Sequence, residues 1–449
     1  MPANTNLPVY EDENIENALN WFLSFMSVEH WENRREQIEK EIHNKSKKTL
    51  SAEYKSTIES QIPVHCDQIG CYLYQISMLL NDITKYDPIQ GSRVAPIFCR
   101  IGEDLDILKK IDGIDDKMKR LIKREKSQAD SILFEILTAL MWAKNGWTVS
   151  FIPEEPHQKK PDLHAIKGKE EWLIECKRLK NSDYTNVEHS KWLTMLSHIT
   201  KELIKYNVLL DIVFHVELRT LSETFIVENL LNKLSHISKP TKIISNDIWE
   251  VSASVVDINA INQHLNSFYV KESSPQMQYL IAGKKEFTRE FTSEINASFV
   301  TIGEGVYVSN VTKAFGIYWT CDAPESINAK SKNIWKQLKE ATSQFPTGQN
   351  GAIHIGIETF DGPAVEKERF EKIYKTATLF DTGEKNVRRI YCHFLQSYAP
   401  PEQTWVIDET VTWFSKEINR KRYPLKNNTL IIPEEEIEED FMHWFRPQP

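Results

Sequence analysis

Residues 131–143 are apolar nearly all round, and Glu135 is the only charged residue among them. A helix with no polar face is a buried helix, and Asn145-Gly146 suits its end. Three strand-like runs follow, at 148–152, 162–166 and 172–177, with Gly168 supplying the tight turn between the last two. Side chains alternate across a strand. Trp172, Ile174 and Cys176 therefore share one face of the third run, and Leu173, Glu175 and Lys177 the other. Trp192, Met195, Leu196, Ile199 and Leu203 then recur at helical spacing, and 208–218 reads as a further strand. The expected order is helix, three strands, helix, strand.

On either side the patterns are less informative. Residues 1–125 read as a helical region, with an apolar stripe at Trp21, Phe22, Phe25 and Met26 and a second apolar run over 71–83. Between 28 and 48 charges of alternating sign suit an exposed helix, while Pro88, Gly91 and Pro96 suggest loops. From 221 to 300 helix at 224–234, strand at 249–256 and helix at 258–268 are expected to extend the same sheet, with a surface turn near Ser273-Ser274-Pro275. Beyond 300 a second α/β unit is expected: strands at 306–309, 315–320, 352–358, 388–395 and 404–414, and helices at 329–345 and 365–380. The acidic run 434–440 reads as solvated, with 441–445 docked or binding something. Three units are thus anticipated: 1–125 helical, 126–300 mixed α/β, and 301–449 a C-terminal α/β unit with an acidic tail.

Length supports more than one core: 449 residues exceed what one hydrophobic core holds. Hydrophobic residues make up 41% and charged residues 27%, an ordinary globular balance. No apolar run is long enough for a membrane span, and the first residues lack the pattern of a secretory signal. The six cysteines are scattered without zinc spacing and read as reduced thiols, including the His65-Cys66 and Cys71 neighbourhood. A soluble, cytoplasmic protein is expected. The 112–116 acids lack calcium-loop spacing, and Gly303-Glu304-Gly305 is a turn rather than a phosphate loop. Glu358, at the end of an expected strand, Asp361 and Asp408 are further acids with no second copy of the arrangement described next.

Asp162 and Glu175 would stand at one end of a hairpin with Lys177 beside them. Carboxylates are hard oxygen ligands of the kind Mg²⁺ takes, with water and substrate phosphate completing the shell. A metal so held can polarise a phosphodiester and activate water, and Lys177 can orient that water or offset developing charge. An exposed Glu175–Lys177 pair of little energetic consequence is the alternative. Glu135 must be paired, hydrogen-bonded or metal-bound, because an isolated buried carboxylate is costly.

With Glu135, Asp162, Glu175 and Lys177 occupying this order of elements, residues 130–220 resemble the PD-(D/E)xK nuclease superfamily, the restriction-endonuclease-like fold. The resemblance implies an α-β-β-β-α-β core and Mg²⁺-dependent phosphodiester cleavage, with Mn²⁺ expected to substitute. Asp162 and Glu175 would be the metal ligands, Lys177 the water-positioning residue and Glu135 an auxiliary acid. A microbial restriction or genome-defence setting would suit such an enzyme.

Net charge is −9, which by itself argues against a nucleic-acid partner. Its distribution is uneven, however. Residues 117–205 carry 17 Lys and Arg against 12 Asp and Glu, the remainder 38 against 52. Lys119, Arg120 and Lys123 would lie on one helix just before the Glu135 helix, as phosphate contacts or as a solvated face. DNA is the expected partner, and the N- and C-terminal units are the places for a homodimer or protein contact. A nuclease-fold binding protein without activity is the second reading.

Overall fold

The computed structural model describes residues 10–51, 67–155, 159–179, 182–237, 239–272, 274–283, 291–302, 305–331, 333–359, 362–400, 403–415, 423–433 and 442. The expectations for 434–440, for 441 and 443–445, and for His65-Cys66, Ser273, Gly303-Glu304 and Asp361 lie outside these residues. The fold is mixed α/β with two mixed sheets.

Its strands are β1 Thr148–Phe151, β2 Leu163–Lys167, β3 Glu170–Arg178, β4 Val208–Phe214, β5 Thr241–Ser245, β6 Trp249–Val255, β7 Phe291–Ile302, β8 Gly305–Cys321, β9 Asn350–Glu358, β10 Val387–Tyr398 and β11 Val406–Ser415. The first sheet runs β1-β2-β3-β9-β10-β11, the second β5-β6-β4-β8-β7. In the first sheet β1, β2 and β3 form an antiparallel meander. β9 then lies parallel to both β3 and β10.

This pairing differs from the expectation at one decisive place. The strand following the meander was expected at 208–218. It forms as β4, but pairs with β6 and β8 in the second sheet. The strand beside β3 is β9, so the chain between β3 and β9 is a long crossover that carries the whole second sheet. The side chains give the reason. β9 is buried along nearly its full length on both faces, as a strand between parallel neighbours must be. β4 interrupts its apolar run with exposed Asp211.

Cores also run across the divisions expected at 125 and 300. One continuous cluster joins the N-terminal helices, the helix Ala129–Lys144, β1 to β3 and residues Tyr391 and Leu395. A second core on the opposite face of the first sheet joins Leu179, β9 and β10 to the helices Trp335–Thr342 and Pro363–Leu379. The second sheet is covered on its two faces by separate clusters.

Three local expectations change too. Pro88, Gly91 and Pro96 lie in a helix, Pro88–Glu103. Asp87 caps it through the Ile89 N–H, and Pro88 sits where a missing N–H costs nothing. Gly91 admits the Tyr86 ring where a Cβ would collide with it. The single helix expected at 329–345 is two, Pro324–Lys330 and Trp335–Thr342. Lys372 crosses over to the carbonyls of Asn328 and Ser331 at 2.7 and 3.1 Å, satisfying the end of the first. The runs at 306–309 and 315–320 are parts of one long strand, β8.

Candidate active site

β2 begins at Leu163, opposite Ile174, while β3 continues to Arg178. Asp162 occupies the point where the pairing stops. Its N–H donates to the Ile174 carbonyl at 3.0 Å, closing the ladder. Its carboxylate Oδ2 then accepts the next free N–H of β3, that of Cys176, at 2.7 Å. The Asp162 side chain thus stands in for the missing strand.

Glu175, on the opposite face of β3 from Cys176, is 1% exposed. Its Oε1 receives Lys177 Nζ at 2.5 Å and Gln344 Nε2 at 2.6 Å. Its Oε2 is buried and accepts from no protein donor among the described residues, and in its protonated form Glu175 hydrogen-bonds to the Asp162 carboxylate. Burial, and then the charge of Asp162, push the Glu175 carboxyl up to about 9. Lys177 provides only partial relief.

Glu135 enters from the helix Ala129–Lys144 and is met by the ammonium of Lys117. Burial followed by the charge of Asp162 raises it to about 8, against the opposing pull of Lys117. Asp162 is itself raised by burial, opposed by the Cys176 N–H, by Lys117 and Lys177, and by a hydrogen bond from the Glu175 side chain. Both lysines lose some basicity to burial and gain more from their carboxylates. The four residues expected to act together are therefore one electrostatic unit, with Lys117 added. Three carboxyls face two ammoniums, and at neutral pH the excess is met by protons held on Glu135 and Glu175.

Lys117 belongs to the helix Ile114–Lys123, the basic helix expected to contact phosphates. Its apolar positions are Ile114, Met118, Leu121 and Ile122, and Lys117 lies on the same stripe. That spacing is visible in the sequence but is masked by the density of basic residues around it. Lys119 and Lys123 are exposed as expected, Lys119 standing 3.4 Å from Asp116. Arg120 is instead committed to Glu125 and Glu154, the latter at 2.7 Å. Gln344, just beyond the helix Trp335–Thr342, carries no sequence signal that would assign it to this site.

Glu358 is not part of the cluster. Its Oε1 is shared by Arg93 at 2.6 Å and Arg178 at 2.8 Å, beside a cavity of about 30 Å³. Arg178 is the residue after Lys177 and points to the other face of β3, so the alternation of the strand separates it from Glu175 and Lys177.

The donor set suits a hard divalent cation. Glu175 offers a buried oxygen with no protein donor among the described residues, and Asp162 a second carboxylate close enough to share a proton with it. Among the described residues no three of His, Cys, Asp and Glu are grouped to hold a metal. Two carboxylates with water and phosphate completing the shell is a normal set for Mg²⁺.

The chain matches no protein-family model, no curated protein and no solved structure. No helix among the described residues is long and apolar enough to cross a membrane.

Proposed function

We propose that this chain is a metal-dependent nuclease of the PD-(D/E)xK kind that hydrolyses phosphodiester bonds in DNA. The observation that carries the reading is the pair of buried carboxyls, Glu175 and Asp162, set side by side, with Lys177 and Gln344 gathered on Oε1 of Glu175 and no protein donor on its Oε2 among the described residues. Two buried carboxyls side by side resist ionising together, so one keeps its proton, and a bound cation would remove that cost. The strand order gives independent support. A buried helix, an antiparallel meander and a crossover to a strand parallel to β3 agree with the α-β-β-β-α-β order that the resemblance implies, β9 taking the place expected for 208–218.

In this reading Asp162 and Glu175 hold Mg²⁺, with Mn²⁺ as a substitute. When bound it supplies Lewis-acid polarisation of the phosphate and a more acidic water. The protein does the rest. Asp162 is fixed by the Cys176 N–H, so its remaining oxygen has one direction to offer. Lys177 keeps its charge through Glu175 and can steady a nucleophilic water or the negative charge that develops on phosphate. Glu135, held by Lys117, keeps a second acid near Asp162. Lys119 and Lys123 are the exposed cations available to the phosphate backbone.

Restriction or genome defence is the setting that the resemblance suggests for such a nuclease. The test is purified protein with linear DNA, circular DNA and RNA, each with Mg²⁺, Mn²⁺ or EDTA. Metal-dependent cleavage that Asp162→Ala and Glu175→Ala abolish supports the reading. Absence of cleavage on every substrate would leave the chain a nuclease-fold binding protein.

A further inference from the structure

On the outer face of the first sheet, the helices Pro324–Lys330, Trp335–Thr342 and Pro363–Leu379 leave an open groove of about 990 Å³. Trp335 lines it with its side chain 52% exposed, and Leu379 is 73% exposed. Trp is usually highly buried, so a half-exposed indole in a groove needs a reason. Lys339 Nζ lies 5.2 Å from the Trp335 ring centroid, one turn along the same helix. Lys375 is exposed on the opposite wall, and Lys372 forms part of the lining from its bonds to Asn328 and Ser331. Three lysines face one acid, Asp381, among the lining residues.

We propose that this groove binds single-stranded nucleic acid, one unpaired base stacking on Trp335 while Lys339 and Lys375 take the neighbouring phosphates. A flat indole has no use for a duplex, whose bases already stack on one another. It suits a strand whose bases are free, and flanking ammoniums suit the phosphates on either side of such a base. An ordinary protein partner would be matched by an apolar lining, whereas here cations stand on both walls of the aromatic.

Position relates the groove to the site. The helix that presents Trp335 at its start delivers Gln344 to Glu175 just beyond its end. At 1.5 Å per residue the two points are roughly 13 Å apart along the helix. The pairing of groove and cleavage site rests on the nuclease reading above; the binding itself does not. A strand seated on Trp335 would run toward the carboxylates, making a substrate with an unpaired stretch the preferred one.

The experiment is fluorescence anisotropy with a short labelled oligothymidylate and with a blunt duplex, in EDTA, on the full chain. Trp335→Ala is expected to weaken oligothymidylate binding at least about fivefold, the scale of one lost stack, and to leave duplex binding unchanged. Trp335→Phe, which keeps a ring, should retain most of the affinity. Lys339→Gln and Lys375→Gln should each flatten the log–log salt dependence by about 0.7. Photocrosslinking of 5-iodouracil-substituted oligonucleotide should label Trp335. Wild-type affinity in Trp335→Ala, or no oligothymidylate binding by the wild type, overturns the proposal; the latter leaves the groove to a protein partner. Cleavage is scored separately. Trp335-dependent binding without any cleavage would sink the nuclease reading and uphold the groove, and cleavage with Trp335-independent binding would do the reverse.

Discussion

Gln344 donates its amide to the same Glu175 oxygen that Lys177 approaches, at 2.6 Å, so the ionised form of a buried acid is held from two different elements. One donor lies two residues away on β3, the other on a segment that follows the second sheet. A hydrogen bond to a charged group contributes about 1.5–3 kcal/mol. Gln344→Leu should therefore raise the Glu175 carboxyl further and shift the rising limb of the cleavage–pH profile toward alkaline pH. At neutral pH the rate should fall about 10- to 100-fold, recovering in part as pH rises. An unchanged profile would make Gln344 a bystander.

Lys177 and Glu175 share a strand face but have opposite relations to a metal. Removing Glu175 takes away an oxygen ligand, so Glu175→Ala should lose Mn²⁺ affinity as well as cleavage. Removing Lys177 takes away a positive charge 2.5 Å from that ligand. Lys177→Ala should bind Mn²⁺ at least as tightly as the wild type and cleave ~10²-fold more slowly, the scale of one lost electrostatic stabiliser. Calorimetric titration beside rates at saturating metal separates the two. Equal loss of affinity in both would end this division of roles.

What was legible in the sequence was local. The alternation around Glu175 and Lys177 is fixed by the pleat, and the apolar helix around Glu135 by its composition; both are found where expected. What was not legible was partner choice. Nothing within 208–218 says that it will pair with β8 rather than β3, because both partners are reached across long stretches of chain. The Pro88–Glu103 helix was hidden because Gly91 and Pro96 are breakers only in isolation; Tyr86 packs where a Gly91 side chain would lie. Gln344 was invisible for the same reason as β9. Its role is set by which strand its helix packs against, not by its neighbours in sequence.

The basic helix Ile114–Lys123 divides into exposed residues, Lys123 and Lys119, the latter in a surface pair with Asp116, and residues held in closer or buried pairs. Lys119→Glu with Lys123→Glu should weaken DNA binding for every sequence and flatten its salt dependence, since each lost phosphate contact removes about 0.9 from the slope on duplex DNA. Arg120→Ala should change the slope less, because its guanidinium is occupied by Glu125 and Glu154. Affinity measured against salt concentration checks this. An unaltered slope in the double variant would make the helix face a solvated surface only.

Lys117 and Glu135 form a pair in which each member is buried, 9% and 13% exposed. Breaking a buried pair by removing one partner leaves the other uncompensated and costs about 3–5 kcal/mol. At pH 9, where Glu135 is ionised, Lys117→Met should therefore destabilise the protein by up to about that much, less at pH 6 where Glu135 holds its proton, and Lys117→Met with Glu135→Leu should recover most of the loss. Urea unfolding of the two single variants and the double variant gives the coupling. Additive losses would mean that the contact contributes nothing of its own.

The raised carboxyls make a prediction about stability that needs no substrate. Unfolded, Glu175 and Glu135 titrate near 4.5; folded, they titrate at about 9 and about 8. Between these values the folded state holds protons that the unfolded state has released. Stability must then fall as pH rises, by up to about 1.4 kcal/mol per pH unit for each group. The loss should begin near pH 4.5 and level off above pH 8 for Glu135 and above pH 9 for Glu175. Metal-free protein should accordingly become less stable toward alkaline pH. Glu175→Gln keeps the shape of the neutral acid and cannot ionise, so this variant should be more stable than the wild type at pH 8 and show a shallower decline. Mn²⁺ should reverse the comparison, raising the Tm of the wild type by satisfying the carboxylates and leaving Glu175→Gln nearly unmoved. Thermal unfolding across pH 5–9, with EDTA and with Mn²⁺, reads all three effects together. A wild-type protein that gains stability with pH and ignores Mn²⁺ would show that these acids are neutralised by their lysines and hold no metal.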